Sequence, residues 1–146
     1  MFRHKLLAVF APLAILACAE SAAAATLTVT KGAACGCCEG WVEHMRKAGY
    51  QVVVRNIDDV TPTAKRLGVP DALRSCHTAE VGGYTVEGHV PAGDVKRLLA
   101  TRPKAAGIAV PGMPIGSPGM EHGSHKEPYR TMLFNRAGQM RVFATH

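Results

Sequence analysis

The sequence predicts a single α/β domain. Short runs rich in β-branched residues alternate apolar and polar side chains, as strands with one buried face do. The segments between these runs repeat apolar residues at helical spacing and stop at glycine or proline. The chain has 146 residues, a length typical of one domain.

The first 25 residues have the pattern of a secretory signal peptide. Basic residues precede an almost wholly apolar stretch over residues 6–19, and small residues follow up to Ala25. The apolar stretch is shorter than a membrane span requires. We therefore expect cleavage near Ala25, export, and a mature domain over residues 26–146. In a competing interpretation, the segment before Cys18 is a lipobox and Cys18 is kept as a lipid anchor.

The mature chain begins with a predicted strand, helix and strand. Apolar residues alternate with threonines over residues 26–31, which predicts the first strand. Apolar residues recur at helical spacing over residues 39–49, and Gly49 stops this predicted helix. The run over residues 50–58 is rich in β-branched residues and is predicted to be a buried strand.

The second half of the domain adds a helix, two strands and a helix. Thr61 and Pro62 suit the N-cap and first position of a short helix that ends at Gly68. Two short strands over residues 78–81 and 84–88 are joined by a glycine pair, and a helix spans residues 91–103. The order β-α-β-α-β-β-α is that of a thioredoxin-like domain, whose active site lies between the first strand and the first helix.

The C-terminal third combines a long loop with a predicted hairpin. Residues 103–127 are rich in Pro, Gly, Met and His and show no apolar periodicity, so we expect no regular element there. Residues 129–135 and 139–146 are predicted to form a C-terminal β-hairpin. Because ordered elements precede and follow this long loop, we expect it to act as a lid and not as a tail.

The charge pattern gives no indication of a nucleic-acid partner, and we expect none. The formal net charge is +6, but the basic residues are scattered and do not alternate with aromatic residues. The sequence contains no recognisable nucleic-acid-binding module.

Four cysteines follow the predicted signal peptide, and three of them, Cys35, Cys37 and Cys38, crowd into four positions. Thiols outside the cytosol oxidise unless they are paired, metal-bound or enzymatically recycled. A purely structural disulfide framework is disfavoured, because adjacent cysteines cannot bridge each other without strain and the chain is large enough to fold on a core. The fourth cysteine, Cys76, lies just before the predicted strand at residues 78–81.

Cys35 and Cys38 have C-x-x-C spacing at a predicted helix N-terminus, where backbone amides and the helix dipole stabilise thiolate. Thiolate is both a redox nucleophile and a metal ligand, so the spacing leaves an oxidoreductase and a metal carrier open. Cys37 favours metal, since a third thiol invites wrong pairings in dithiol exchange but suits Cu(I). In a thioredoxin-like fold, Cys76 and His77 would face this three-cysteine turn.

The long loop offers softer ligands. The thioethers of Met113 and Met120 and the imidazoles of His122 and His125 suit copper and are not lost to disulfides. His89 is expected to cap the end of a strand. Zinc and iron–sulfur sites share the ligand count, but their usual cysteine spacing differs from C-x-C-C.

Three separated segments carry a family resemblance: CGCCEGWVEHMRKAG, LRSCHTAEVGGYTVEGHVPAGDVKRLL and GIAVPGMPIGSPGME. Together they resemble the CopG-like proteins, small periplasmic proteins associated with bacterial copper resistance. The resemblance covers residues 26–146. It implies a thioredoxin-like fold, a periplasmic location, and copper bound through cysteines with redox activity at the same site. Two departures stand out: Ala33-Ala34 replaces a proline common before the first cysteine, and His122 replaces a methionine after PGME.

The sequence therefore leads to the hypothesis of a periplasmic protein that holds Cu(I) in a cysteine-rich site. The predicted ligands are Cys35, Cys37, Cys38, Cys76, His77, Met113, Met120 and His122. Reduced thiolates would bind copper, and oxidation of the redox pair Cys35 and Cys38 would release it. The expected partners are copper ions and other periplasmic copper-handling proteins. The alternatives are a thiol–disulfide oxidoreductase acting on exported proteins and a copper chaperone without a redox step.

Overall fold

A computed structural model describes residues 25–146, so Cys18 and nearly all of the predicted signal peptide lie outside the described residues. Seven strands form one sheet, and they are β1 Thr26–Lys31, β2 Gln51–Asn56, β3 His77–Val81, β4 Tyr84–Glu87, β5 Gly107–Ala109, β6 Arg130–Phe134 and β7 Met140–Thr145. The α-helices are α1 Gly36–Lys47, α2 Thr61–Arg66 and α3 Ala92–Thr101, and a short 3-10 helix spans Asp71–Leu73. None of these helices has the length and apolar character needed to cross a bilayer.

The sheet is mixed and has the strand order β2-β1-β3-β4-β5-β6-β7. Strand β1 runs parallel to β2 and antiparallel to β3, and β4 runs parallel to β5; the remaining neighbours are antiparallel. Up to α3 the α-helices and strands follow the predicted order β-α-β-α-β-β-α. The predicted C-terminal hairpin is confirmed as β6 and β7.

The core lies on both faces of the sheet. One cluster packs α1 and α3 against the sheet through residues such as Trp41, Met45 and Leu98, all fully buried. A smaller cluster around Ala64 of α2 and Phe134 of β6 lies apart from it. Successive residues of a strand point to opposite faces. Strands β5 and β6 therefore contribute to both clusters, with Ile108 and Leu133 in the larger one and Ala109 and Phe134 in the smaller one.

Strand β2 is an edge strand, so the prediction of a buried strand at residues 50–58 is wrong. It pairs with β1 alone, and Val53 is 49% exposed. Its β-branched residues favour strand conformation, but that preference carries no information on the position of the strand in a sheet.

The start of α2 differs by one residue from the prediction. The helix begins at Thr61, and Val60 occupies the N-cap position that was predicted for Thr61. The carboxylate of Asp59 accepts a hydrogen bond from the Thr61 N–H at 2.9 Å. A side chain two residues upstream therefore satisfies an amide of the first turn.

Strand β5 lies inside residues 103–127, where no regular element was expected, so that prediction is wrong for Gly107–Ala109. The strand has only three residues and is buried between β4 and β6. A Cβ on Gly107 would come within 2.0 Å of the Thr85 carbonyl oxygen. Close backbone approach therefore requires glycine, and a three-residue strand is too short to show a periodic pattern.

The pairing of β1 with β3 positions the cysteines. Lys31, the last residue of β1, is paired with His77, the first residue of β3. Because the two strands are antiparallel, the turn that leaves β1 toward α1 lies beside the segment that enters β3. Cys35, Cys37 and Cys38 therefore come to lie beside Cys76.

Candidate metal centre

The four cysteines that follow the predicted signal peptide converge on one point. The Sγ atoms of Cys35, Cys37, Cys38 and Cys76 all lie within 4.8 Å of one another. Cys37 Sγ is 3.6 Å from Cys35 Sγ and 3.9 Å from Cys76 Sγ. Cys35 and Cys38 form a disulfide, whereas Cys37 and Cys76 are free thiols.

Helix α1 starts at the cysteine cluster and buries its three cysteines to different extents. Cys35 is the N-cap residue, and its N–H donates to the Gly32 carbonyl at 3.1 Å. Cys38 is fully buried, with its Sγ 3.5 Å from the carbonyl oxygen of Cys76. Cys35 and Cys37 are half-buried, so solutes reach one side of the cluster.

Cys76 is a neutral thiol in the metal-free protein. Burial, reinforced by the neighbouring Cys37, raises the pKa of Cys76 to about 11. The His89 Nε2 atom lies 3.1 Å from Cys76 Sγ and is placed to accept the thiol proton. A soft cation that replaces this proton would bind the thiolate and remove the cost of its burial.

Two buried histidines stand behind Cys76. His77 Nδ1 lies 3.5 Å from Cys76 Sγ, and the ligand atoms of Cys76, His77 and His89 lie within 4.8 Å of one another. Burial lowers the pKa of both imidazoles, that of His77 to about 3. Both are therefore neutral near pH 7, the form in which histidine binds metals.

His89 was expected only to cap the end of a strand, and in the structure its imidazole also reaches Cys76. Its Nδ1–H donates to the Pro118 carbonyl at 2.9 Å, which orients Nε2 toward Cys76. This bond fixes the tautomer, as carbonyl partners do for metal-binding histidines. The register of the β3–β4 hairpin, Thr78 opposite Glu87, brings the residues after Glu87 back beside Cys76. The glycine pair at residues 82–83, which joins the two strands in this register, is the sequence signal that could have identified His89.

The long loop packs over the site, and its action as a lid stays a prediction. Ser75 Oγ donates to the Gly112 carbonyl at 2.7 Å, and Pro118 receives the bond from His89. Gly119 lies against α1 so closely that a Cβ there would be 2.5 Å from the Cys37 carbonyl oxygen. Residues 112–119 therefore contact Ser75, His89 and Cys37, which lie in or next to the site.

The loop ligands predicted from the sequence are less buried. Met113 is 51% exposed, and Met120 is partly buried. His122 is exposed and belongs to neither of the two donor groups that residues 25–146 contain. Metal binding by these three residues stays a prediction.

Glu87 is a second residue near the site that the sequence did not reveal. It is fully buried, and its carboxylate accepts hydrogen bonds from the Ser75 N–H at 2.7 Å and the Thr78 hydroxyl at 2.6 Å. These two bonds clamp the segment that carries Cys76. Burial raises the pKa of Glu87 to about 7.

The donor set fits a soft cation. Thiolate sulfurs and neutral imidazoles are the ligands that Cu(I) and Zn²⁺ prefer, and hard cations such as Mg²⁺ prefer oxygen. The cluster offers four sulfurs and two imidazoles, and it contains no carboxylate ligand in either donor group of the described chain.

Comparisons with known proteins place the chain in a family. A family model described as "Protein of unknown function, DUF411" matches residues 73–120, and the comparison with curated proteins finds no match. A solved structure named copper resistance protein CopG, form 2, is 41% identical with a TM-score of 0.80, covering 84% of this chain and 98% of that chain. Form 1 is 42% identical with a TM-score of 0.78, covering 83% and 96% respectively. The chain belongs to the CopG family of copper resistance proteins.

Proposed function

We propose that this protein binds copper as Cu(I) in copper resistance or homeostasis, at the site formed by Cys35, Cys37, Cys38 and Cys76. The observation that carries the proposal is the convergence of four sulfur atoms within 4.8 Å of one another. Cu(I) favours several soft thiolates. The name of the two similar structures, copper resistance protein, supports the same metal.

The imidazoles of His77 and His89 complete the proposed site. His89 is bound from behind by Pro118 and presents Nε2 to Cys76. It therefore serves either as a direct ligand or as the group that accepts the Cys76 proton when copper enters. His77 occupies the inner wall, where no solvent reaches it.

Metal binding is coupled to the redox state of Cys35 and Cys38 in this proposal. As a disulfide the pair offers no thiolate, so two of four ligands are absent. An external dithiol reductant supplies two electrons and two protons, is itself oxidised to a disulfide, and restores the two thiols of the full site. In the reverse direction, two Cu(II) ions accept one electron each, which gives the disulfide, two Cu(I) ions and two protons.

The same proposal includes location, topology and partners. Residues 1–25 act as a signal peptide, and the mature domain works in the periplasm. The strand order β2-β1-β3-β4 with α1 after β1 supports a thioredoxin-like arrangement. Other periplasmic copper-handling proteins would deliver or receive the ion, with the loop that carries Met113 and Met120 controlling access.

A thiol–disulfide oxidoreductase is the second candidate, and one observation favours it. The Cys35–Cys38 disulfide lies at the N-terminus of α1, where the helix dipole stabilises a leaving thiolate. Cys35 is half-buried, so a substrate thiol can approach it. Cys37 separates the two candidates, because dithiol exchange does not need it.

The decisive experiment is an anaerobic Cu(I) titration of the fully reduced protein against a competing chelator, with free thiols counted. We expect tight binding that protects Cys35, Cys37, Cys38 and Cys76 from alkylation. A matched Cys37→Ser variant should lose Cu(I) affinity but keep the disulfide. Weak Cu(I) binding together with rapid disulfide exchange in both proteins would favour the oxidoreductase instead.

A further inference from the structure

We propose that His122 and His125 form a second copper site, which lies on the exposed surface of the loop and takes Cu(II). The proposal separates His122 from the cysteine cluster, to which the sequence hypothesis assigned it. Neither histidine belongs to the two donor groups of residues 25–146.

Backbone geometry brings the two histidines together. His122 and His125 form an antiparallel bridge across the two residues Gly123 and Ser124, and the His125 N–H donates to the His122 carbonyl at 3.3 Å. Gly123 has a φ of +57°, the positive value that such a turn requires. Residues paired in this way carry their side chains on the same side, with Cβ atoms about 4.5–5.5 Å apart. Both side chains therefore leave the turn on the same side, close enough for the two imidazoles to rotate onto one ion.

Both imidazoles are accessible to an ion from solution. His122, Gly123, Ser124 and His125 are all exposed. This differs from His77 and His89, which are fully buried behind Cys76. The turn is also joined to the rest of the loop, because the Glu127 N–H donates to the Ile115 carbonyl at 2.9 Å.

The chemistry of this pair selects a different ion from the cysteine site. Imidazole nitrogens without thiolates suit Cu(II), Ni²⁺ and Zn²⁺, and Cu(II) binds most strongly in the Irving–Williams order. A Cu(II) ion there would meet no sulfur at the pair itself, and water would fill its other positions. The carboxylate of Glu121, the residue before His122, accepts a hydrogen bond from the Gly119 N–H at 2.8 Å and ties the start of the turn to the loop.

The position of the pair connects it to the cysteine cluster. Gly119 contacts the first turn of α1 at Cys37, and His122 follows three residues later. A surface groove of this loop is lined by Ile115, Gly119, Met120, Glu121 and His122. The histidine pair would therefore collect the oxidised ion at the edge of the loop that covers the thiols.

The test uses the full chain with Cys18, Cys37 and Cys76 changed to Ser, in which the Cys35–Cys38 disulfide leaves no free thiol. Cu(II) titration followed by electron paramagnetic resonance should show one ion with two imidazole nitrogens. His122→Asn and His125→Asn should each weaken binding at least about tenfold, since even residues that only support a ligand cost that much. Ser124→Ala, in the same turn, is the matched control and should bind as the parent does.

A second measurement covers the case in which the serine variant does not fold. Substoichiometric Cu(II) added to the oxidised wild-type protein should broaden the ring-proton signals of His122 and His125 first. Unchanged affinity in the His122→Asn and His125→Asn variants, or broadening that spares both rings, would overturn the proposal. Cu(I) binding at the thiols is measured separately, so the result for one proposed site does not depend on the result for the other.

Discussion

Cys37 and Cys76 are separated by 39 positions in the chain, yet their Sγ atoms lie 3.9 Å apart. Neither belongs to the Cys35–Cys38 disulfide. Cys37 also lies close to the Cys35 sulfur, and Cys76 lies close to the His89 imidazole. The contact joins the start of α1 to the segment before β3. It makes one site out of two distant parts of the sequence.

Cys76→Ser should weaken Cu(I) binding by more than about 100-fold, because loss of a ligand costs more than the 10–100-fold typical of supporting residues. The unfolding free energy of the metal-free protein should change little, since the thiol is only half-buried and serine keeps the hydrogen-bonding group. Chelator competition and urea unfolding measure the two quantities. Equal Cu(I) affinity in this variant would contradict a shared four-thiol site.

The redox state of Cys35 and Cys38 should control copper affinity. Protein that keeps the disulfide should bind Cu(I) far more weakly than the reduced protein, because only Cys37 and Cys76 can then supply sulfur. Anaerobic titration of both forms against the same chelator tests this. A Cys35→Ser/Cys38→Ser variant is the control, and its affinity should match the oxidised form whatever reductant is present. Equal affinity in the oxidised and reduced forms would show that metal and redox state are independent.

Gly119→Ala should open the loop over the cysteines. The new Cβ would meet the Cys37 carbonyl oxygen at 2.5 Å and the Trp41 amide nitrogen at 2.6 Å. Overpacking of this kind costs about 1–3 kcal/mol, in addition to about 1–2 kcal/mol for a non-glycine residue at positive φ. Alkylation of Cys37 should become faster.

Gly112→Ala is the matched control for this change. Gly112 lies in the same loop at a φ of +71°, but a Cβ there would meet nothing within 4 Å. Gly112→Ala should lower the unfolding free energy only by the cost of a non-glycine residue at positive φ. The alkylation rate of Cys37 should stay unchanged. Identical rates in the Gly119 and Gly112 variants would mean that the loop does not shield the thiols.

Glu87→Gln should change how stability depends on pH. The pKa of Glu87 is raised from 4.5 to about 7, so between these values the folded protein binds more protons than the unfolded chain. The unfolding free energy contributed by Glu87 therefore falls as pH rises through this window. Glutamine carries no charge, so the stability of the variant relative to wild type should rise by about 2–3 kcal/mol from pH 4 to pH 8.

Urea unfolding of the metal-free wild type and the Gln variant at several pH values measures this difference. Other titrating groups are common to both proteins and cancel in the comparison. A stability difference that does not vary with pH would show that Glu87 is ionised equally in the folded and unfolded chains.

Several features of the fold followed from local sequence pattern alone. The alternation at Leu27 and Val29 identified β1, and the glycine pair at residues 82–83 identified the β3–β4 hairpin. The sequence pattern does not predict strand β5, because three residues are too few to show a periodic alternation. The pattern wrongly predicts β2 in the interior, because β-branched residues favour strands at the edge and in the interior alike. Local preference reports conformation, whereas position in a sheet depends on pairing partners distant in sequence.

The candidate site divides in the same way. Cys35, Cys37 and Cys38 stand out in the sequence because they are neighbours at the start of a helix. His89 and Glu87 do not stand out, since each gains its role from a contact made by the hairpin and the loop: His89 from Cys76 and Pro118, Glu87 from the clamp on the segment before β3.

The sequence by itself determined the chemistry of this protein: the thiols, their C-x-C-C spacing and the order of elements that puts them at a helix N-terminus. Only the tertiary structure decided which distant groups complete the site. The antiparallel pairing of Lys31 with His77 brings Cys76 to the cysteines, and the loop bond to Pro118 orients His89. The physical reason is that ligand type is a property of a side chain, whereas a distance between side chains depends on strand register and loop packing.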